Sequence, residues 1–250
     1  MGQGAAFAVR LHVVGSSGTF PAPGRPASGY IIEHEGTRVW CDAGPGTFMS
    51  LPVNSDLIDA LVISHQHPDH CSDVFAAYHA WTYRPEPRDP VPLFAPRAVW
   101  DRIVAFLEKE PPCFDFTPVK SGDTAGIGAL DVAFVEMDHP VPTVGSRWEG
   151  TNRTLFFTAD TGPAGNWRTG AEDVDMMLSE AALQGEIEDK AVPHHLTASE
   201  AGRIAREAGA SRLTLTHIPP YLDPATSVAE AEKEFDRPVQ LAVPGTSFTV

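Results

Sequence analysis

Three histidines and an aspartate stand within six consecutive positions, directly after an apolar segment. The segment LIDALVIS, residues 57–64, has the pattern of a buried strand, and it leads into HQHPDH, residues 65–70. His65 and His67 are two residues apart, so on an extended chain their side chains point to the same side. We therefore expect the two imidazoles to face a common site.

The rest of this hexapeptide turns toward the following helix. Pro68 breaks the strand, so Asp69 and His70 come round a turn and approach from a second direction. Imidazole and carboxylate ligands together suit zinc, and also manganese or iron. A histidine that only fills space in a core rarely occurs in such a cluster. The sequence therefore predicts a metal site with ligands enough for more than one ion.

The remaining sequence alternates strands with helices in two successive halves. We predict strands at 8–15, 29–34, 37–44 and 57–64 and then, in the second half, at 129–137, 146–150, 154–160, 174–180, 212–217 and 239–243. We predict helices near 72–81, 96–110, 197–208 and 226–235, with a proline-rich loop at 83–92. In the third helix Thr197 and Glu200 have the spacing of a capping box, and Gly209 is a plausible terminator. Two such halves predict an α+β fold with four αββα layers, in which two facing mixed sheets carry helices on their outer faces.

The hexapeptide resembles the signature of the metallo-β-lactamase superfamily, and the resemblance extends from end to end of the chain. The loop VGSSGTFP at 14–21 and the hairpin VWCDAGPG at 39–46 look like the opening elements of that family. The resemblance implies one metallo-β-lactamase-fold hydrolase domain over residues 1–250. Its pseudo-duplicated halves would be about 1–115 and 116–250.

The same resemblance implies a complete set of metal ligands. The segments EMDHPVPTVGSRWE, LFFTADTGPA and LTLTHIPPY look like those that supply the family's remaining histidines and its bridging aspartate, here His139, Asp160 and His217. One ion would take His65, His67, His139 and Asp160, and the other would take Asp69, His70, Asp160 and His217. Asp42, in CDAG, is similar to an aspartate that supports these ligands, and a turn-forming role is the alternative.

Two further residues give a narrower resemblance, to the ribonuclease Z-like phosphodiesterase branch. The segments LSEAALQ and HHLTASEAGRIAREAGASRLTLTHIPP are similar to those that supply a glutamate and a histidine for proton transfer in that branch. The matching residues are Glu180 and His195, and Asp69 is implied as a further catalytic residue. Ser179 stands where the branch has a histidine, so Glu180 has a second interpretation as a strand-end carboxylate. His194 is expected to be a surface residue.

This resemblance implies a dinuclear metal-dependent hydrolase that cleaves a small phosphodiester, such as a 3′,5′-cyclic nucleotide. Two divalent ions, expected to be zinc with manganese or iron(II) as alternatives, would supply the hydroxide that attacks phosphorus, and His195 would protonate the departing oxygen. Ribonuclease Z enzymes carry a tRNA-binding arm between the positions of His139 and Asp160, where this chain has only about 20 residues. The formal net charge of −15 also disfavours nucleic acid as a partner.

Three other functions stay open at this point. A lactone, ester or lactam could be the substrate, although those reactions need neither Glu180 nor His195. A metal-binding protein without catalysis is a second alternative, and it is disfavoured by the intact ligand set. Processing of tRNA 3′ ends is the third, and it would require a partner or an oligomer that takes the place of the missing tRNA-binding arm.

Cysteine usage and hydropathy lead to a prediction about the compartment. Cys41, Cys71 and Cys113 form no paired framework, as is typical of a reducing compartment, and Cys71 could line the site. No apolar run approaches the ~20 residues of a membrane helix, and the N-terminus lacks the pattern of a signal peptide. We expect a complete cytoplasmic protein with no membrane partner; a homodimer is one possible oligomeric state, which the sequence does not determine.

Overall fold

The computed structural model describes residues 8–186 and 194–250. The strands in these two ranges are Arg10–Gly15 (β1), Gly29–His34 (β2), Thr37–Cys41 (β3), Ala60–Val62 (β4), Val91–Ala95 (β5), Phe114–Pro118 (β6), Thr124–Ile127 (β7), Leu130–Glu136 (β8), Val144–Gly150 (β9), Arg153–Phe157 (β10), Met176–Glu180 (β11), Leu213–Thr216 (β12), Val239–Leu241 (β13) and Ser247–Thr249 (β14). The α-helices are Pro68–Cys71 (α1), Val74–Thr82 (α2), Arg97–Leu107 (α3), Trp167–Ala171 (α4), Ala198–Glu207 (α5) and Pro224–Phe235 (α6).

The strands form two mixed sheets with seven strands each. The first sheet has the order β14-β1-β2-β3-β4-β5-β6, and the second has the order β13-β12-β11-β10-β9-β8-β7. Each sheet contains three antiparallel pairs at one end and three parallel pairs at the other. The predicted fold class, two facing mixed sheets of a metallo-β-lactamase sandwich, is confirmed.

The alternation of buried and exposed residues explains how the two sheets face one another. In β8, Leu130, Val132 and Phe134 are buried while Asp131 between them is exposed, as expected for a strand with one face toward a core. These side chains pack with inward residues of the first sheet, including Leu11 of β1, in one cluster. The layer between the sheets is therefore an apolar core shared by both.

Separate apolar clusters attach the helices to the outer faces. One joins the first sheet to α2 and α3, and another joins the second sheet to α4, α5 and α6. Helix α5 begins at the predicted capping box, where Thr197 Oγ1 accepts from the Glu200 amide at 3.1 Å and Glu200 Oε2 accepts from the Thr197 amide at 3.0 Å. Gly209 follows the helix with φ +76°, in the left-handed region that glycine tolerates best.

The predicted loop at 83–92 is two residues too long. Val91 and Pro92 belong to β5, and the Val91 amide donates to the Cys113 carbonyl at 2.8 Å. Pro92 fits because it lies near the start of the strand, and the pairing of β5 with β4 begins only at Leu93.

The strand order bears on the predicted duplication, which stays a prediction. The run β1 to β6 and the run β8 to β13 have the same succession of antiparallel and parallel pairs, as a duplicated half would. The proposed boundary at 115/116 falls inside β6, and β14 returns from the C-terminus to the first sheet.

Among the residues that the structure describes, none of the helices combines the length and apolar character that crossing a bilayer requires.

Candidate metal centre

The topology gathers the predicted site residues at one edge of the two sheets. Asp42 follows β3, the hexapeptide follows β4, His139 follows β8, Asp160 follows β10, Glu180 ends β11 and His217 follows β12. The strands β3 and β4 run parallel, as do β10, β11 and β12, so their carboxyl ends lie side by side. All seven predicted ligands come together in two groups, and within each group the ligand atoms lie within 4.8 Å of one another.

The first group contains His65, His67, His139 and Asp160. His67 Nδ1 lies 3.1 Å from His65 Nε2 and 3.0 Å from His139 Nε2. Asp160 Oδ2 lies 3.7 Å from His65 Nε2 and 3.9 Å from His139 Nε2. Three imidazole nitrogens and one carboxylate oxygen therefore converge on a small volume.

The second group contains Asp69, His70, Asp160 and His217. His70 Nε2 lies 3.3 Å from His217 Nε2, and Asp69 Oδ2 lies 3.3 Å from His217 Nε2. Asp160 Oδ1 lies 3.1 Å from His70 Nε2 and 3.4 Å from His217 Nε2. Asp160 therefore presents one carboxylate oxygen to each group, as a bridging ligand would.

Hydrogen bonds determine which nitrogen of each histidine is free. His70 Nδ1 donates to Asp42 Oδ2 at 2.7 Å, and His139 Nδ1 donates to the His194 carbonyl at 3.2 Å. Ser64 Oγ donates to Asp42 Oδ2 at 2.9 Å, which leaves it to accept from His65 Nδ1 at 3.0 Å. A neutral imidazole carries one proton, so in the neutral form of each of these three rings Nε2 keeps a lone pair directed into the cluster.

This geometry fits a bound metal ion. Lone pairs that face one another at about 3 Å repel unless a cation lies between them, and ligands around a tetrahedral zinc at ~2.05 Å are separated by about 3.3 Å. In the part of the chain that the structure describes, buried Asp160 Oδ1 has no hydrogen-bond donor in suitable alignment, although His70 Nε2 is 3.1 Å away. The cluster is therefore suited to binding metal ions.

The protonation states agree with this interpretation. Burial lowers the pKa of His65 and His67 and lowers the pKa of His139 to about 4, so these rings are neutral at pH 7. Burial opposes ionisation of Asp160, but His217 and His70 hold the pKa of its carboxyl well below the usual range.

His70 shows the opposite shift. Burial disfavours its charged form, yet Asp160, Asp69 and Asp42 raise its pKa well above the usual value. Three carboxylates around one imidazole need compensating positive charge, and a divalent cation supplies it without protonating the ligand.

Glu180 and His195 form a separate pair beside the cluster. Glu180 is fully buried, and its Oε1 accepts from His195 Nδ1 at 3.0 Å and from the Thr161 amide at 2.7 Å. The His195 ring lies 5.7 Å from the His217 ring, with 17° between the planes. Burial opposes protonation of His195, but the charge and hydrogen bond of Glu180 raise its pKa to about 9. Glu180 therefore favours the protonated form of His195.

Strained backbone occurs where the strands deliver these side chains. Asp42, Ala159 and His217 have φ of +56°, +54° and +54°, which non-glycine residues rarely adopt. Such residues cost of order 1–3 kcal/mol each and persist where the surrounding structure requires them. Each of these residues lies one or two positions after a strand end at the site. The left-handed conformation there turns the chain so that the site residues face the cluster.

Some supporting groups were not predicted from the sequence. Ser64 joins His65 to Asp42, and the signal was available because it directly precedes the hexapeptide. His194, expected on the surface, is half-buried, and its carbonyl holds the His139 ring. Main-chain carbonyls carry no residue-type signal, so this contact could not be predicted. Cys71 packs in the core outside the first sheet, and burial raises the pKa of its thiol to about 11.

Sequence comparisons place the chain among metallo-hydrolases. The family model for the beta-lactamase superfamily domain matches residues 37–218. The chain is 31% identical over 261 residues to the uncharacterized protein ML1173 of Mycobacterium leprae, a match that covers 100% of this chain and 92% of that protein. It is 26% identical to the probable metallo-hydrolase YhfI of Bacillus subtilis, over 95% of this chain and 98% of that one. It is also 26% identical to a ribonuclease Z of Myxococcus xanthus, over 97% of each.

Solved structures resemble the whole chain as well. The crystal structure of YhfI from Bacillus subtilis superposes with a TM-score of 0.88 at 25% identity, and it covers 98% of this chain and 100% of that one. A new diphosphatase from the PhnP family gives a TM-score of 0.77 at 18% identity, over 96% and 97%. The short form of human tRNase Z gives 0.75 at 20% identity, over 96% and 98%. The last two likenesses show the fold alone.

Proposed function

This chain belongs to the metallo-β-lactamase superfamily and is a metal-dependent hydrolase, and on that premise we propose that it is a phosphodiesterase that cleaves a small phosphodiester such as a 3′,5′-cyclic nucleotide. The observation that carries the proposal is the Glu180–His195 pair. It places an imidazole that is hydrogen-bonded to a buried carboxylate beside a cluster suited to metal ions, with its ring 5.3 Å from the His139 ring and 5.7 Å from the His217 ring. Ring-opening of a lactone or lactam does not require such an acid.

The proposal assigns two divalent ions, zinc in the first place, to the two groups of ligands. His65, His67 and His139 would hold one, Asp69, His70 and His217 would hold the other, and Asp160 would contact both. Bound there, the ions would lower the pKa of water toward neutrality and offset the charge on the phosphate oxygens. Imidazole nitrogen and carboxylate oxygen donors together suit zinc, manganese and iron(II).

His195 would act as the general acid. Its Nδ1 proton is held by Glu180, and Glu180 is fixed in turn by the amides of Thr161 at 2.7 Å and Ala182 at 3.2 Å. The imidazolium can therefore be oriented without reorganisation of its partner. Protonation of the departing alkoxide by such a group typically contributes about 10²–10⁴-fold to the rate.

Two features favour a small substrate over nucleic acid. The chain between His139 and Asp160 forms only the antiparallel pair β9 and β10, joined by a turn at 151–152. The sequence has 18 Lys and Arg against 33 Asp and Glu, a balance that repels a polyanion. A substrate with one phosphodiester can instead be bound by the site itself.

The relatives support the same class of reaction. The chain is similar over nearly its whole length to a ribonuclease Z, an enzyme named for cleavage of RNA, and its fold is shared by a diphosphatase of the PhnP family. Cleavage of a phosphorus–oxygen bond is common to both names.

The test is a side-by-side measurement of turnover by protein loaded with zinc or manganese. The substrates are bis(p-nitrophenyl) phosphate, 3′,5′-cyclic AMP, an acyl lactone and a β-lactam, and the products are identified by ³¹P NMR or chromatography. We expect turnover of the phosphodiesters, with loss of activity after dialysis against a chelator. Turnover of only the lactone or only the β-lactam would overturn the proposal.

A further inference from the structure

Two exposed aromatic side chains lie close together on neighbouring loops. Phe20 is 45% exposed and Tyr221 is 71% exposed, although large aromatic side chains usually bury most of their surface. Their ring centroids are 6.3 Å apart, with 25° between the ring planes. We refer to Phe20 and Tyr221 as the rim pair.

The topology places the rim pair on the same edge as the metal ligands. Strand β1 is antiparallel to β2, and β2 is antiparallel to β3, so β1 and β3 end at the same edge of the first sheet. Phe20 lies in the loop that leaves β1 at this edge. Tyr221 is four residues after His217, and its Cα is therefore at most about 14 Å from that of His217.

Direct contacts connect the two loops next to a ligand. The Gly18 amide donates to the Ile218 carbonyl at 3.2 Å, and Ser17 forms an isolated bridge with Ile218. Arg25 Nη1, from the Phe20 loop, donates to the Pro220 carbonyl at 3.4 Å. The two loops that carry the rim pair are thus joined to each other next to His217.

The backbone around the rim pair is restricted. Thr19 has φ +66°, which for a β-branched residue is a rare conformation that places the next residue, Phe20, in a particular direction. Pro21 follows Phe20, and Pro219 and Pro220 precede Tyr221. Because proline fixes φ, less conformational freedom remains to be lost when a ligand binds.

We propose that the rim pair is the binding surface for the purine or pyrimidine base of a mononucleotide whose phosphodiester lies at the metal centre. This inference rests on the proposed function and names its substrate class. Bases stack on exposed aromatic side chains without regard to sequence. The two rings lie within 25° of parallel and both are exposed, so a planar base can stack on the outer face of either ring.

Charge argues for a single nucleotide over a polymer. Proteins that bind single-stranded nucleic acid combine stacking side chains with a positively charged groove. This chain has a formal net charge of −15, and Arg25 beside the rim pair already donates to Pro220. The surface therefore offers a stacking site for one base and a metal centre for one phosphodiester, without a positively charged groove for further nucleotides.

The test compares cyclic AMP with its base-free analogue, 1-deoxyribose 3′,5′-cyclic phosphate. We expect the variant Phe20→Ala/Tyr221→Ala to lose about 10- to 100-fold in kcat/KM for cyclic AMP, mainly through KM, and to keep wild-type kcat/KM for the base-free analogue. The conservative variant Tyr221→Phe should retain the preference for cyclic AMP. Binding of AMP and ribose 5-phosphate, measured by calorimetry, should show the same loss for AMP alone.

Tyr83→Ala is the matched control. Tyr83 is 64% exposed at the end of α2, and the chain then leads to the start of β5. Since β5 is parallel to β4, that start lies at the edge opposite the metal ligands. Tyr83→Ala should therefore leave both substrates unaffected.

The outcomes separate this inference from the function on which it rests. The role of the rim pair would be overturned if Phe20→Ala/Tyr221→Ala changed kcat/KM equally for cyclic AMP and for the base-free analogue, or changed neither. Turnover of the analogue would still support the phosphodiesterase activity. Failure of the wild-type protein to cleave any phosphodiester would overturn both.

Discussion

Replacing Gly18 by alanine tests whether the loop after β1 positions His217. A Cβ built on Gly18 would lie 2.3 Å from the His217 carbonyl oxygen and 3.1 Å from its Nδ1. Real Cβ atoms essentially never approach another atom within 3.0 Å, and ordinary contact begins at 3.4 Å. The two backbones would therefore have to separate by about 1 Å.

A shift of that size is large for a metal ligand. Ligand distances in metal sites hold to within about 0.2 Å, and a misplacement of about 1 Å can cost on the order of 100-fold in rate. We therefore expect Gly18→Ala to weaken binding of the ion that Asp69, His70 and His217 are proposed to hold, and to lower kcat/KM for a phosphodiester by about 100-fold.

The measurement is metal content by plasma mass spectrometry after dialysis, together with turnover. Circular dichroism and urea unfolding would establish that Gly18→Ala still folds. Gly126→Ala is the control, because a Cβ there would meet only Asp131 Oδ1, at 3.5 Å. If Gly18→Ala kept two ions and wild-type turnover, the loop would be shown to give way without moving His217, and the reasoning would be wrong.

Three further variants test separate parts of the site and the fold. His195→Ala should lower kcat by about 10²–10⁴-fold with normal metal content, and unchanged kcat would remove His195 from the chemistry. Asp42→Ala removes the acceptor 2.7 Å from His70 Nδ1 and should weaken zinc binding by about 10- to 100-fold in a competition titration with a chelating dye; wild-type affinity would contradict its orienting role. Thr197→Ala should lower the free energy of unfolding in urea by about 1 kcal/mol, and an unchanged midpoint would show that the cap of α5 contributes nothing.

The elements predicted correctly were those whose local pattern and tertiary environment agree. Helix α5 has its capping box and an apolar face in the sequence, and both were found where predicted. The strands β5, β6, β7 and β14 have only three to five residues each and were not predicted. Their strand conformation depends on pairing with strands that are distant in the sequence. The residues of such short segments do not by themselves predict that pairing.

The site shows the same division between local and distant information. The hexapeptide after β4 is a local signal, so four ligands could be predicted from spacing. His139, Asp160 and His217 are isolated in the sequence and were predicted only through the family resemblance. Glu180 and His195 are 15 positions apart in the sequence, and no local pattern predicts the hydrogen bond that joins them.

The central claim is that two ions, bridged by Asp160, occupy the cluster. Crystals of zinc-loaded protein, measured at the zinc absorption edge, test it most directly. We predict two anomalous peaks about 3.5–4 Å apart, one among His65, His67 and His139 and the other beside His70 and His217, with Asp160 in contact with both. A single peak, or peaks away from these side chains, would contradict the account.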